Sequence, residues 1–286
     1  MASAEMPAFI HNIQCGRLLE TLRGERTQRE VATACGWSQP TQAELERGQK
    51  NFTTELLQKL RSVLGGEAAT WTQIAHHAEL GAAQAKKSDL RWKFKSEAMR
   101  KLVDMDRTAT LIRSKASMLI PGVLQTPELM RYLMEAAGLA AEEIDRLVDL
   151  RVRRQDVLAN TSQRFEFIID QAALARVSPI SDTTGIWAGQ LTRLAEVAVL
   201  PNVSLRFIPF SHGFYEGQEA DYQLATYQAE PKLHLVYAER YDEQAVLHDP
   251  KIVKRYLDLW RVQEKIALES DQALSFLNFV GGPLPL

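Results

Sequence analysis

The stretch Thr27-Gln28-Arg29-Glu30-Val31-Ala32, followed after three residues by Gly36-Trp37-Ser38-Gln39 and after five more by Leu45-Glu46-Arg47-Gly48, spaces polar side chains to suit the edges of nucleic-acid bases. Thr27 and Glu30 make a capping box, in which the hydroxyl accepts from the third helical N–H and the carboxylate reaches back. The short helix so launched stops at Gly36. Ser38 then caps another, with Pro40 tolerated in its first turn because the N–H it lacks would be unpaired there anyway. Two short helices joined at a steep angle by a glycine-containing turn present the second one to a major groove. Val31, Ala32 and Leu45 are placed to hold the pair together. Ser38, Gln39, Pro40, Thr41 and, one turn on, Glu44 are the candidate groove contacts. Gln39 can bond bidentately to adenine and Glu44 can accept from a cytosine amino group. Gln28, Arg47, Lys50 and Asn51 are the candidate phosphate contacts.

A second set of residues suggests a small-molecule or partner site. Arg154 and Gln155, next to Arg153, suit a carboxylate or phosphate clamp, and ion pairing between helices accounts for them equally well. Asp170 and Gln171 fall where a strand gives way to a helix, a common ligand position in α/β folds, although Asp170 also suits a helix N-cap. The loop Ser211-His212-Gly213-Phe214-Tyr215-Glu216-Gly217 reads as a binding loop or as plain turn chemistry, with His212 and Tyr215 its candidate contacts. Gln190, Tyr222 and Tyr237 complete the ligand-binding candidates. His76-His77 reads as a helix-end pair, because no third ligand has metal-site spacing. No Gly-x-Ser-x-Gly, His-Glu-x-x-His, phosphate loop or dinucleotide fingerprint occurs, so no metal or cofactor is expected and no catalytic nucleophile is identified, which lowers the expectation of a familiar enzyme without excluding an unfamiliar one.

Five short helices are expected to position the first set within residues 1–80, the fifth turning Trp71, Ile74, Ala75 and Ala78 inward. Residues 81–119 read as a basic helical linker. Residues 120–286 read as a larger α/β domain with helices near 127–137, 141–159, 186–199 and 250–269. Its strands are expected near 164–170, 203–210, 222–228 and 233–239, giving an α+β multidomain chain overall.

The 286 residues suggest about two domains. No apolar run approaches the ~20 residues of a membrane helix, no secretory signal is visible at the start, and the two cysteines provide no disulfide framework. The expectation is a reduced cytoplasmic protein without membrane contact. The net charge of −2 hides a segregation: residues 81–120 carry +6 through Lys86, Lys87, Arg91, Lys93, Lys95, Arg100, Lys101, Arg107, Arg113 and Lys115, while residues 121–286 carry −7. That block is a solvated face or a surface for phosphates or a partner. The first 80 residues are at −1, which makes counterion release a weak drive for DNA binding unless the basic block contributes.

The first motif resembles the repressor-type (XRE) helix-turn-helix family over about residues 13–79. That family often has Lys or Arg at the positions of Thr41 and Glu44 and an aliphatic residue at that of Gln42. A second series of motifs resembles the domain called DUF5753 over about residues 100–275. The series comprises Met105-Asp106-Arg107-Thr108-Ala109, Ile120 to Pro127, Arg151 to Leu158, Asp170 to Leu174, Gln190-Leu191, Pro201-Asn202-Val203, Ile208-Pro209-Phe210 and Glu269-Ser270. That domain follows the repressor-type module in many actinobacterial antitoxin-like transcriptional regulators, often encoded beside a small neighbouring protein. The family's usual Glu is Gln171 here, and Tyr215 stands where a His is frequent, which removes ionisable groups from the expected pocket and leaves shape and hydrogen bonding.

The resemblance implies a dimeric regulator of double-stranded DNA whose C-terminal domain binds a small molecule or a partner protein. Two readings compete with it. One is an enzyme with a relic helix-turn-helix, its basic segment holding a nucleic-acid substrate such as a transfer RNA and Asp170, His212, Tyr215 or Tyr237 moving protons. The other is an antitoxin-like binding protein whose acidic domain complements a basic partner.

Overall fold

The computed structural model describes residues 6–87, 96–180, 185–228, 232–239 and 244–282. The chain forms two compact units, Met1–Thr108 with Tyr227–Leu233, and Ala109–Thr226 with His234–Leu286.

The first unit begins with five helices: α1 (Ala8–Arg23), α2 (Gln28–Cys35), α3 (Gln39–Glu46), α4 (Thr54–Leu64) and α5 (Ala68–Lys87). Side chains punctuate them as the sequence suggests. The Thr27 capping box is complete, Ser38 accepts from the Thr41 N–H, and Thr53 accepts from the Leu56 N–H. Gly36 closes α2 at φ 71°, a left-handed value that glycine adopts at no steric cost. Leu19, Val31, Leu45, Leu60, Trp71 and Ile74 fill the core. Glycine also sets how closely α3 approaches α1. A Cβ on Gly16 would meet the Glu46 carbonyl oxygen at 2.2 Å and that of Leu45 at 2.8 Å, and one on Gly48 would meet the backbone of Ile13 and Asn12 at 2.5–2.7 Å.

Helix α5 departs from expectation on one face. Ala75 is exposed, whereas His77 is buried against α1, its Nδ1 3.0 Å from that of His11. One ring donates and the other accepts, so the accepting ring must be neutral and the pair cannot hold a proton on both Nδ1 atoms. Burial, with His77 and His76 nearby, pushes His11 down to about 4, and burial followed by His76 lowers His77.

Residues 97–108 form α6 (Glu97–Thr108), but the linker does not stay helical: Leu111–Ala116 is a strand, β1, inside the sheet of the second unit. Lys115 on this strand is buried, and Arg113 is ion-paired to Glu166 at 2.7 Å, so neither belongs to a solvated basic face. Lys101 pairs with Glu97 at 2.7 Å. Arg91, Lys93 and Lys95 lie outside the described residues, as do the side chains of Lys86 and Lys87.

The six-stranded sheet has the order β3 (Val203–Ile208), β2 (Arg164–Asp170), β1, β4 (Tyr222–Tyr227), β5 (Leu233–Glu239), β6 (Gln244–Leu247). Strands β1, β2 and β3 are parallel, β4 runs against β1, and β6 against β5. Helices α7 (Pro127–Ala136) and α8 (Ala141–Arg154) connect β1 to β2, and α9 (Gln171–Ala175) and α10 (Ile186–Ala198) connect β2 to β3. Helix α11 (Pro250–Ile266) covers one face through Val253 and Trp260, and α12 (Ala273–Gly281) stacks Phe276 on Phe207 of β3. The outer edge of β3 is covered: the Leu268 N–H donates to the Phe207 carbonyl at 2.8 Å, and Arg206 pairs with Glu269 at 2.9 Å. Such cover keeps an edge strand from pairing with another chain.

Two outcomes are expected. Gly16→Ala wedges α1 from α3 and destabilises the first unit by about 1–3 kcal/mol, read as faster amide exchange in α1 and α3 of the full chain. The histidine pair stabilises fully above pH 6.5, where unfolded imidazole is already neutral, and its contribution of roughly 2–3 kcal/mol falls away as pH drops towards about 4. His11→Asn, which cannot gain a proton, should flatten the pH dependence of α1 exchange over that window.

Candidate functional site

The surface of α3 is set by a carboxylate beneath it. Glu46, buried at the end of α3, accepts from Arg23 Nε of α1 at 2.8 Å, Gln28 Nε2 of α2 at 2.7 Å and Gln42 Nε2 of α3 at 2.9 Å. Gln42 is completely buried and also accepts from Trp37 Nε1 at 3.2 Å, so a position suited to an aliphatic side chain is filled here by an amide with partners at both ends. Gln28 thus ties α2 to the end of α3. Ser38, Gln39, Pro40 and Arg47 are exposed, and Thr41 and Glu44 partly so. Ser38 caps the helix, its Oγ 3.0 Å from Thr41 Oγ1. Lys50 pairs with Glu44 at 3.0 Å, and Asn51 accepts from Asn12 Nδ2 at 3.0 Å. The candidates therefore divide: Gln39, Pro40 and Arg47 lie open, Glu44 and Lys50 are coupled, and Gln28 and Asn51 brace the fold.

In the second unit, Asp170, Gln171, His212, Tyr215 and Tyr222 gather around the loop between β3 and β4. Asp170 Oδ1 caps α9 through the Ala172 N–H at 2.8 Å, and its Oδ2 accepts from the Tyr215 hydroxyl at 2.5 Å. Burial and the Asp170 carboxylate push Tyr215 well above the usual phenol range. Gln171 accepts from the Phe210 N–H at 2.8 Å. Tyr222 donates to Gln263 of α11 at 2.7 Å, whose amide donates in turn to the carbonyls of Glu216 and Gly217.

Sequence reading missed the centre of this cluster, Lys115. Its ammonium donates to Ser117 Oγ and to the carbonyls of Gly217 at 3.3 Å and Gln218 at 2.8 Å, and lies 5.4 Å from the Tyr215 ring centre. Burial lowers its proton affinity, while Asp221, Asp170 and Glu219 pull the other way. The Ser117 N–H donates to Asp221 at 2.6 Å. Phe210 and Phe214 nonetheless point outward, 57% and 86% exposed, with His212 between them.

The other candidates lie apart from this cluster. Gln190 is fully buried, accepting from the Thr126 N–H at 2.9 Å and donating to the Leu124 carbonyl at 2.8 Å. Gln155 donates to the carbonyls of Gln125 at 2.6 Å and Gly122 at 3.3 Å. Both brace the backbone of the 120–126 loop. The Tyr237 hydroxyl donates to Glu239 at 3.3 Å. Arg154 lies near Arg151, whose affinity for its proton is lowered by burial and then by Arg154, with Glu239 and Tyr237 opposing. Among the described residues, no group of three or more His, Cys, Asp or Glu could hold a metal, and no helix is long and apolar enough to cross a membrane.

Two family models match the chain. Residues 19–71 match the family model described as Helix-turn-helix, and residues 99–278 match the one described as Domain of unknown function (DUF5753). The chain belongs to the DUF5753 family and carries an XRE-type helix-turn-helix, a DNA-binding module, before that domain. Neither a curated protein nor a solved structure matches it.

Replacing Glu46 by Ala removes the acceptor shared by three helices and leaves the Arg23 guanidinium with the Arg26 carbonyl at 2.6 Å and the more distant Glu20 at 3.9 Å. A loss of about 3–5 kcal/mol in the first unit is expected, seen as faster exchange in α1–α3 while the second unit is unchanged.

Proposed function

We propose that the protein is a sequence-specific transcriptional regulator, acting in the cytoplasm as a homodimer on double-stranded DNA, and that its second unit receives a signal from a partner or small molecule. The observation that carries this reading is the exposed start of α3. Gln39 stands open at the first turn of a helix whose orientation is fixed from below by Glu46. A positioned amide there can discriminate bases instead of merely touching phosphates. Pairing two such modules on adjoining half-sites would supply the specificity that one short helix lacks.

For the second unit, the exposed Phe210 and Phe214 favour a protein partner over a small molecule. Their loop is tied down through Lys115, Ser117, Gln171 and Gln263, so docking there orders little new chain. The catalytic reading has less support, because Asp170 and Tyr215 are buried and bonded to one another.

Titration of the full chain against the duplex upstream of its own coding sequence, with competitor DNA present, tests the proposal. Saturable specific binding is expected, and Gln39→Ala should weaken it by roughly 1–3 kcal/mol without altering circular dichroism. Equal affinity for operator and competitor, with the protein folded, would remove this reading.

A further inference from the structure

The ion pair between α3 and the turn that follows it carries a more specific reading, which rests on the DNA-binding proposal above. Glu44 and Lys50 are six residues apart, yet Lys50 Nζ lies 3.0 Å from Glu44 Oε2, with the side chains 44% and 39% exposed. The approach follows from how α3 ends. The Gly48 N–H donates to the Leu45 carbonyl at 2.9 Å and the Gln49 N–H to the Glu44 carbonyl at 2.8 Å, with Gly48 at φ 63°. These two bonds define a Schellman turn, which folds the chain back over the last helical turn. Gly48 is pressed on the α1 backbone, and Asn51 is held by Asn12. The backbone carrying Lys50 is therefore fixed on both sides, and the ammonium reaches the carboxylate without ordering a loop.

A lone carboxylate facing DNA is repelled by phosphates and accepts hydrogen bonds only. Held against its own ammonium, it becomes a neutral unit with an acceptor and a donor side by side. In the major groove, a C·G pair presents the cytosine amino donor next to the guanine O6 and N7 acceptors. We infer that Glu44 and Lys50 form one element that selects a C·G base pair, Glu44 accepting from the cytosine amino group and Lys50 donating to the guanine edge. Adenine offers an amino donor as well, but acceptors flank it on both sides, its own N7 and the thymine O4, so the second carboxylate oxygen meets a lone pair there, whereas beside the cytosine amino group it meets only C5–H. Two further consequences follow. The Lys50 charge is already balanced, so it adds little to counterion release. Removing the Glu44 charge frees Lys50 for a phosphate.

The test is selection of duplexes from a randomised library by the full-length protein, followed by titration of the selected site and its single-base variants. The wild type should prefer C·G at one position by roughly tenfold or more. Glu44→Ala should level that position alone, and Lys50→Met should weaken the same preference. Glu44→Gln should shift the preference towards A·T and steepen the dependence of log affinity on log salt by about one. Both side chains are partly exposed, so circular dichroism should not change in any variant. A C·G preference found at no position, or one that survives Glu44→Ala, overturns the inference while leaving specific DNA binding in place. Failure of the wild type to select any duplex removes the DNA-binding reading, and this inference with it.

Discussion

Burying a carboxylate costs several kcal/mol unless donors surround it, and Glu46 at the end of α3 finds its donors on three helices. Arg23 comes from α1, Gln28 from α2 and Gln42 from α3 itself. Withdrawal of Arg23 leaves a buried charge uncompensated, and withdrawal of either glutamine leaves the carboxylate short of a donor, so the arrangement of these helices is specified as well as packed. Hydrophobic contacts among Leu19, Val31 and Leu45 tolerate small slips, but a hydrogen bond near 2.8 Å tolerates much less. The open residues of α3 inherit that precision, and so does the Glu44–Lys50 pair one turn from its end.

The second unit uses the opposite charge in a comparable way. Lys115 enters from β1, and its ammonium gathers the carbonyls of Gly217 and Gln218 together with Ser117. The loop after β3 thereby becomes part of the core, although its tip exposes Phe210 and Phe214. Parallel strands often leave a ligand crevice beyond their carboxyl ends. Here the chain's own loop lies there, bonded to residues that sequence alone would assign to a ligand. Gln155 and Gln190 behave alike at the 120–126 loop.

Such residues show why a family motif is ambiguous evidence for a site. An amide that satisfies buried backbone groups is as constrained as one that touches a ligand, since an unpaired buried N–H or carbonyl is costly. Asn202, within the Pro-Asn-Val motif, donates to the carbonyls of Leu158, Asn160 and Gln163. It is a tie between a helix end and the sheet.

Local signals in the sequence determined the helix starts, the glycine stops, the change to strand period after residue 160 and the exposed start of α3, because capping and side-chain periodicity act within a few residues. Tertiary structure decided the rest. Leu111 to Ala116 is dense in charge and reads as linker, yet it is a sheet strand, because Glu166 and loop carbonyls far along the chain satisfy Arg113 and Lys115. Ala75, expected inward, is exposed and His77 is buried in the middle of α5, where it finds its partner in His11, 66 residues away. Gly16 carries no signal of its own, since only the approach of α3 makes a side chain there impossible. In each case the deciding partner lies far off in sequence, and side-chain types alone do not say which distant groups will meet.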